Sequence, residues 1–207
     1  AMTVDVAMPL PHQLGPLNDP VPNKVLQWGR RAGKTRFDVM CALAGHGPEV
    51  DGAPLHPGIM SSHLDVAWIC PTYKQSDPLW LEEIRPRFDG KPHCQVNETD
   101  KWVRSGNLGR LFVRTWENAG TMRGQGANLV GVIFDEAAHM DCRSMWTEFI
   151  LYALMDNHGW SLWSSTTNAD LDGNPERLPP SFFNTLCHEI DQGTRDPKLW
   201  KKWYATA

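Results

Sequence analysis

Apolar residues in this chain fall into two kinds of pattern. The stretches Lys24–Trp28, Asp65–Cys70, Asn128–Phe134 and Trp160–Ser164 are short and rich in Val, Leu, Ile, Ala and Trp, and each predicts a strand. Asn128–Phe134 is nearly continuous in its apolar residues, as a strand covered on both faces should be. Between them, apolar positions recur at helical spacing: Phe37, Met40, Cys41 and Ala44; Trp80, Ile84 and Phe88; Trp146, Phe149, Ile150 and Ala153. Each set makes one helix face. Gly45 is placed to stop the first helix, and two more helices are expected near 181–192 and 196–204. Lys101–Arg104 and Arg110–Thr115 flank a Gly-containing turn and predict a β-hairpin. Two segments follow neither period. Residues 1–23, with Pro9, Pro11, Pro20 and Pro22, predict an extended N-terminal arm, and the Gly/Pro-rich insert 45–62 predicts an irregular loop or lid. Strands alternating with helices predict an α/β fold over residues 24–207: a three-layer sandwich with a mainly parallel central sheet and helices on both faces.

Composition narrows this picture only a little. With 207 residues, 41% of them hydrophobic, the chain can bury one sizeable core. A net charge of −4 means that any nucleic-acid contact must come from a local basic patch. The candidate is the hairpin: Lys101, Arg104, Arg110 and Arg114 put four cations there, Arg110 and Arg114 on one face by the period of two. That face either meets DNA or a neighbouring subunit, or is simply solvated. The five cysteines are scattered without C-x-x-C spacing, which suits a reducing compartment and no zinc site. No signal peptide is evident, and no apolar run is long enough to span a membrane.

The chemistry centres on Gln27-Trp28-Gly29-Arg30-Arg31-Ala32-Gly33-Lys34-Thr35, between the first strand and the first helix. A glycine turn opening a helix gathers backbone N–H groups and the positive helix end around an anion. Lys34 supplies a point charge for the β- and γ-phosphates, and the Thr35 hydroxyl a ligand for Mg²⁺. The glycine that usually begins this motif belongs at position 28; Trp28 stands there instead, and the glycine is Gly29. The strand 128–134 runs into Asp135-Glu136, where an open α/β sheet forms its ligand crevice. Asp135 is placed to hold Mg²⁺, and Glu136 to orient and deprotonate an attacking water. Water as nucleophile means ATP hydrolysis rather than transfer to a small acceptor.

These two motifs resemble the ATPase motifs of the large terminase subunit, the DNA-packaging motor of tailed phages. Four more segments resemble the family in the same order: Ala67-Trp68-Ile69-Cys70-Pro71-Thr72-Tyr73-Lys74-Gln75; Met122-Arg123-Gly124; Gly159-Trp160 through Ser165-Thr166-Thr167, with Thr167 where proline is usual; and the closing stretch Phe182-Phe183 with Trp203-Tyr204-Ala205-Thr206. The resemblance implies a P-loop NTPase fold of RecA/ASCE type and an Mg²⁺-dependent ATPase that drives double-stranded DNA into a procapsid. It implies phosphate contact in cis by Arg30, a finger role for Arg123, adenine reading by Gln13, and γ-phosphate sensing by Ser165 and Thr166. Gly29, Arg31, Ala32 and Gly33 complete the loop. It implies a ring of copies of this chain, a small terminase subunit and a portal protein as partners, and a location in the host cytoplasm. Large terminases usually carry a C-terminal nuclease domain; no second set of paired acids follows here, so no cleavage activity is expected. Other readings of the same motifs are a helicase-like DNA-stimulated ATPase, a P-loop kinase and a non-enzymatic nucleotide-binding scaffold.

Overall fold

The structure, a computed structural model, describes residues 4, 6, 8–123, 128–140, 142–166 and 181–205, without the side chains of 121–123. Among these, eight strands form one sheet in the order β10-β1-β9-β8-β4-β7-β6-β5. They are β1 (Asn23–Trp28), β4 (Asp65–Cys70), β5 (Cys94–Asn97), β6 (Trp102–Ser105), β7 (Arg110–Thr115), β8 (Leu129–Asp135), β9 (Trp160–Ser165) and β10 (Trp200–Ala205). The six from β10 to β7 are parallel, and β6 and β5 add an antiparallel edge. Successive side chains of a strand point to opposite faces, and the core divides accordingly. Leu26, Trp28, Val66, Trp68, Ile133 and Leu162 share one apolar layer with α2 (Lys34–Leu43) and α3 (residues 73–87). Val25, Ala67, Ile69, Val132, Phe134 and Trp163 share the other with α4 (residues 143–155) and α5 (Phe182–Asp191). On that second face Phe134 stacks on Trp163 at 4.0 Å between ring centres, with Trp146 and Phe182 edge-on to Trp163. This is the predicted three-layer sandwich. Gly131 in β8 is required by close approach: a Cβ there would lie 2.3 Å from the Trp160 ring.

Three expectations fail, each for a physical reason. The arm is not wholly extended, because residues 11–18 form a short helix, α1, that Pro11 can begin since its missing N–H needs no partner there. The insert 45–62 contains an ordered hairpin, β2 (Gly45–Val50) with β3 (Ala53–Pro57). Gly and Pro punctuate it rather than dissolve it. It is pinned by Lys24, whose buried ammonium donates to Asp19 O (2.9 Å), Val21 O (2.7 Å) and His46 Nδ1 (2.7 Å). His56 Nε2 donates to Pro20 O at 2.7 Å, and the His46 ring packs between His56 and Trp160. With hairpin and residues 59–60 against it, α2 is buried from Phe37 to Leu43 rather than along one stripe. The third failure is at 196–204. Trp200, Trp203 and Tyr204 have helical spacing, yet the segment becomes β10, because the otherwise open edge of β1 offers a full ladder from Asn23↔Trp200 to Trp28↔Ala205.

The predicted hairpin at 101–115 exists as β6 and β7, joined by the unforeseen β5, but it does not present an open basic face. Asp65 accepts from both the backbone N–H (2.8 Å) and the guanidinium (2.7 Å) of Arg110. Arg114 is buried and donates to Asp100 O; Lys101 pairs with Asp77; Arg104 bonds Gln95 at 2.6 Å.

Candidate active site

The site forms where β1, β9 and β8 end side by side. Strand register levels their tips: Gln27 lies opposite Ser165, and Ser164 opposite Asp135. From Trp28 the chain turns through Gly29–Gly33 into α2. Gly29 N–H is tied to Ala205 O at 2.8 Å and Ala32 N–H turns back to Gly29 O at 3.3 Å. Arg31 and Gly33 have φ of +62° and +78°, the left-handed backbone that lets successive N–H groups line a concavity. Trp28 is buried beneath the loop with its ring edge-on to Phe37 and to His12. A bulky ring there explains how the loop is supported without the usual glycine at that position.

Lys34, one residue into this anion cradle, is 9% exposed. Its Nζ rests 3.2 Å from both Trp28 O and Gly29 O, and 3.9 Å from Glu136 Oε1. The phosphate-loop lysine and the acid after β8, far apart in the chain, therefore meet. Glu136 itself has φ +51°, a conformation uncommon for a residue with a side chain. Its other oxygen, Oε2, accepts from Thr166 Oγ at 2.8 Å, Thr166 N–H at 3.3 Å and Ser165 Oγ at 3.4 Å. Ser165 and Thr166 thus hold the carboxylate by one end. Asp135, beside it, takes one 3.4 Å bond from Trp68 Nε1. Burial, reinforced by the charge of Glu136, pushes the Asp135 carboxyl up to about 6. Thr35, Arg30 and Arg31 lie at the mouth, all three exposed.

A third acid was not singled out from the sequence. Asp38 lies one helical turn beyond Lys34, wholly buried, and accepts from Ser164 Oγ at 2.7 Å. Its Oδ1 has no partner among the described residues. Burial, and then the charge of Asp135, holds its carboxyl well above the usual range. The signal was present: Lys34, Phe37, Asp38 and Cys41 fall at i, i+3, i+4 and i+7, so an acid sits within the buried stripe. Gln13 is also fully buried, with its amide bonded to Leu10 N–H (2.9 Å) and Gly33 O (3.0 Å). Arg123 closes the helical stretch Trp116–Arg123, but its side chain, Gly124 and Thr167 lie outside the described residues.

Acids crowded beside one lysine, with the carboxyls of Asp38 and Asp135 raised by burial and by neighbouring acids, suit a hard, oxygen-seeking divalent cation. Among the described residues no three His, Cys, Asp or Glu side chains converge as a metal cage. Mg²⁺ needs none, since it takes one or two protein oxygens and completes its shell with phosphate and water. No described helix is long and apolar enough to cross a membrane.

No protein-family model and no curated protein matches the sequence. Solved structures do. The large terminase ATPase domain of Thermus phage P74-26 superposes with a TM-score of 0.60 at 17% identity, over 96% of this chain and 81% of that one. An arginine-to-alanine mutant of the same domain gives 0.61. The large terminase of bacteriophage HK97 gives 0.64 at 14% identity, over 97% of this chain and 41% of that one. The chain has the fold of the ATPase domain of phage large terminases.

Proposed function

We propose that this chain hydrolyses ATP to ADP and phosphate, and that it does so as the ATPase domain of a phage DNA-packaging motor moving double-stranded DNA into a procapsid. The observation that carries the reading is the meeting of Lys34 and Glu136 at 3.9 Å across the tips of β1 and β8. The loop 29–33 wraps the phosphates with its N–H groups, and the first turn of α2 adds its positive end. Lys34 is loosely held, so a triphosphate outcompetes two long carbonyl contacts and one distant ion pair for its ammonium. Thr35 and Asp135 are the residues that would hold Mg²⁺, which screens the phosphate charge. Glu136 keeps Oε2 fixed by Ser165 and Thr166 and leaves Oε1 to orient a water and take its proton. Arg30 is assigned phosphate contact in cis, and Arg123 the finger acting on the γ-phosphoryl charge. The ring of copies, the small subunit and the portal follow from the motor reading.

The test is phosphate release by wild type, Lys34→Ala and Glu136→Gln, with and without duplex DNA. Hydrolysis by wild type, loss of ATP binding in Lys34→Ala, and binding without turnover in Glu136→Gln are expected. A wild-type chain that binds no Mg²⁺–ATP under any of these conditions overturns the proposal. Stimulation by duplex DNA separates the packaging reading from a free-standing ATPase.

A further inference from the structure

The N-terminal helix grips the phosphate loop by its backbone. His12 Nε2 lies 3.0 Å from Ala32 O, and Gln13 Nε2 donates to Gly33 O at 3.0 Å. A carbonyl only accepts, so His12 carries its proton on Nε2. Two neighbouring residues of α1 therefore hold two successive carbonyls of the loop. A trans peptide is planar, with its C=O and the following N–H pointing in opposite directions, and the described chain has no cis bonds. Holding the carbonyls of Ala32 and Gly33 toward α1 turns the N–H groups of Gly33 and Lys34 the other way. Neither N–H has an acceptor among the described residues. The contact is close: a Cβ on Gly33 would stand 3.0 Å from both Gln13 Nε2 and Leu10 Cδ1. Gln13 is itself fixed, its Oε1 accepting from Leu10 N–H, and the His12 ring leans on Trp28, 5.1 Å between ring centres.

We infer that His12 and Gln13 are positioning residues that preset the anion-binding N–H groups of the phosphate loop. The inference rests on the nucleotide-binding reading of that loop. It assigns Gln13 to the phosphate end of the ligand, through the protein backbone, in place of the adenine edge. Preorganised donors bind an anion without first reorienting, so loss of either tie weakens every ligand that enters through its phosphates, with or without a base. It also gives Trp28 a use: the ring occupying the motif's missing glycine position is the platform on which His12 rests.

The test is calorimetric titration of the whole 207-residue chain with Mg²⁺–ATP, Mg²⁺–GTP and Mg²⁺–tripolyphosphate. Gln13→Met keeps length without a donor, His12→Phe keeps the ring without a donor, and His12→Gln restores an N–H at similar reach. Gln13→Met and His12→Phe are expected to weaken ATP, GTP and tripolyphosphate by the same factor, about fivefold for one neutral hydrogen bond, and His12→Gln to recover most of it. Unchanged tripolyphosphate binding in both donor-less variants overturns the inference, as does a Gln13→Met defect confined to ATP, which marks an adenine contact. A His12→Gln variant as weak as His12→Phe overturns it for His12. If Gln13→Met does not fold, judged by thermal melting, the two His12 variants decide. A wild type that binds none of the three ligands instead defeats the nucleotide reading itself.

Discussion

Strand β1 has a buried lysine at each end of its reach, and the two are held in opposite ways. Lys24, at the start of the strand, is fully buried, and its three donors meet three acceptors at 2.7–2.9 Å. Burial still pulls its ammonium down to about 8. Lys34, just past the other end, has two contacts at 3.2 Å and an ion pair at 3.9 Å, near a buried acid, Asp38, whose Oδ1 has no partner among the described residues. At one end every donor of the ammonium is paired and the network fixes a hairpin, although His46 Nε2 within it has no partner among the described residues. At the other the ammonium is only loosely held, and a loosely held buried charge beside acids of raised pKa is a mark of a functional site. The difference lies in partners, not in residue type, and burial alone does not separate a staple from a site.

That contrast can be broken most directly at the acid opposite Lys34. Glu136→Gln should lower phosphate release on the order of 10²–10⁴-fold while ATP binding, read by calorimetry, stays within a few-fold. Next come the lysines themselves. Lys24→Met strands two carbonyls and His46 Nδ1, and should cost about 3 kcal/mol in denaturant unfolding with kcat per folded molecule unchanged. Lys34→Met should cost on the order of 1 kcal/mol and abolish nucleotide binding. Equal stability losses would erase the distinction. A smaller effect is expected for Arg110→Ala: about 2 kcal/mol of stability from loss of the Asp65 pair, without selective loss of DNA stimulation, while Arg104→Ala stays within about 0.5 kcal/mol.

The smallest expected effect is with pH. Burial holds His46 well below its ordinary value and brings His56 down to about 4. Both are neutral when folded, while the unfolded chain takes up protons near 6.5, so their contribution is whole above that pH and is lost as pH falls toward 4. Asp135, raised from 3.8 to about 6, acts with the opposite sign, binding a proton on folding between those values. The histidine part is isolated by His56→Gln, which keeps a donor for Pro20 O and should show a shallower loss of stability over pH 6.5–4 than wild type.

What the sequence made legible was local or fully buried. The phosphate loop announces itself within nine residues, and β4 and β8 are near-continuous apolar runs of the kind a covered strand needs. What it hid depends on distant partners. Trp200 and Trp203 read as a helix face until β1 supplies a ladder. The hairpin 45–57 reads as loop until Lys24 is seen to hold His46. Arg110 and Arg114 do share a face, but only the folded chain shows that face turned to Asp65 and Asp100. Asp38 looks like an ordinary helix residue until Ser164 of β9 meets it.

The place of β9 between β1 and β8 sets a dimension. Neighbouring strands stand ~4.8 Å apart, so the strand feeding the lysine and the strand ending in the acids are separated by two such steps, ~9.6 Å. Main-chain ladders act here as a gauge block: the width between the two jaws is independent of the loops above them. Substitutions at the rim can alter grip or speed, but to change that width the sheet itself must part.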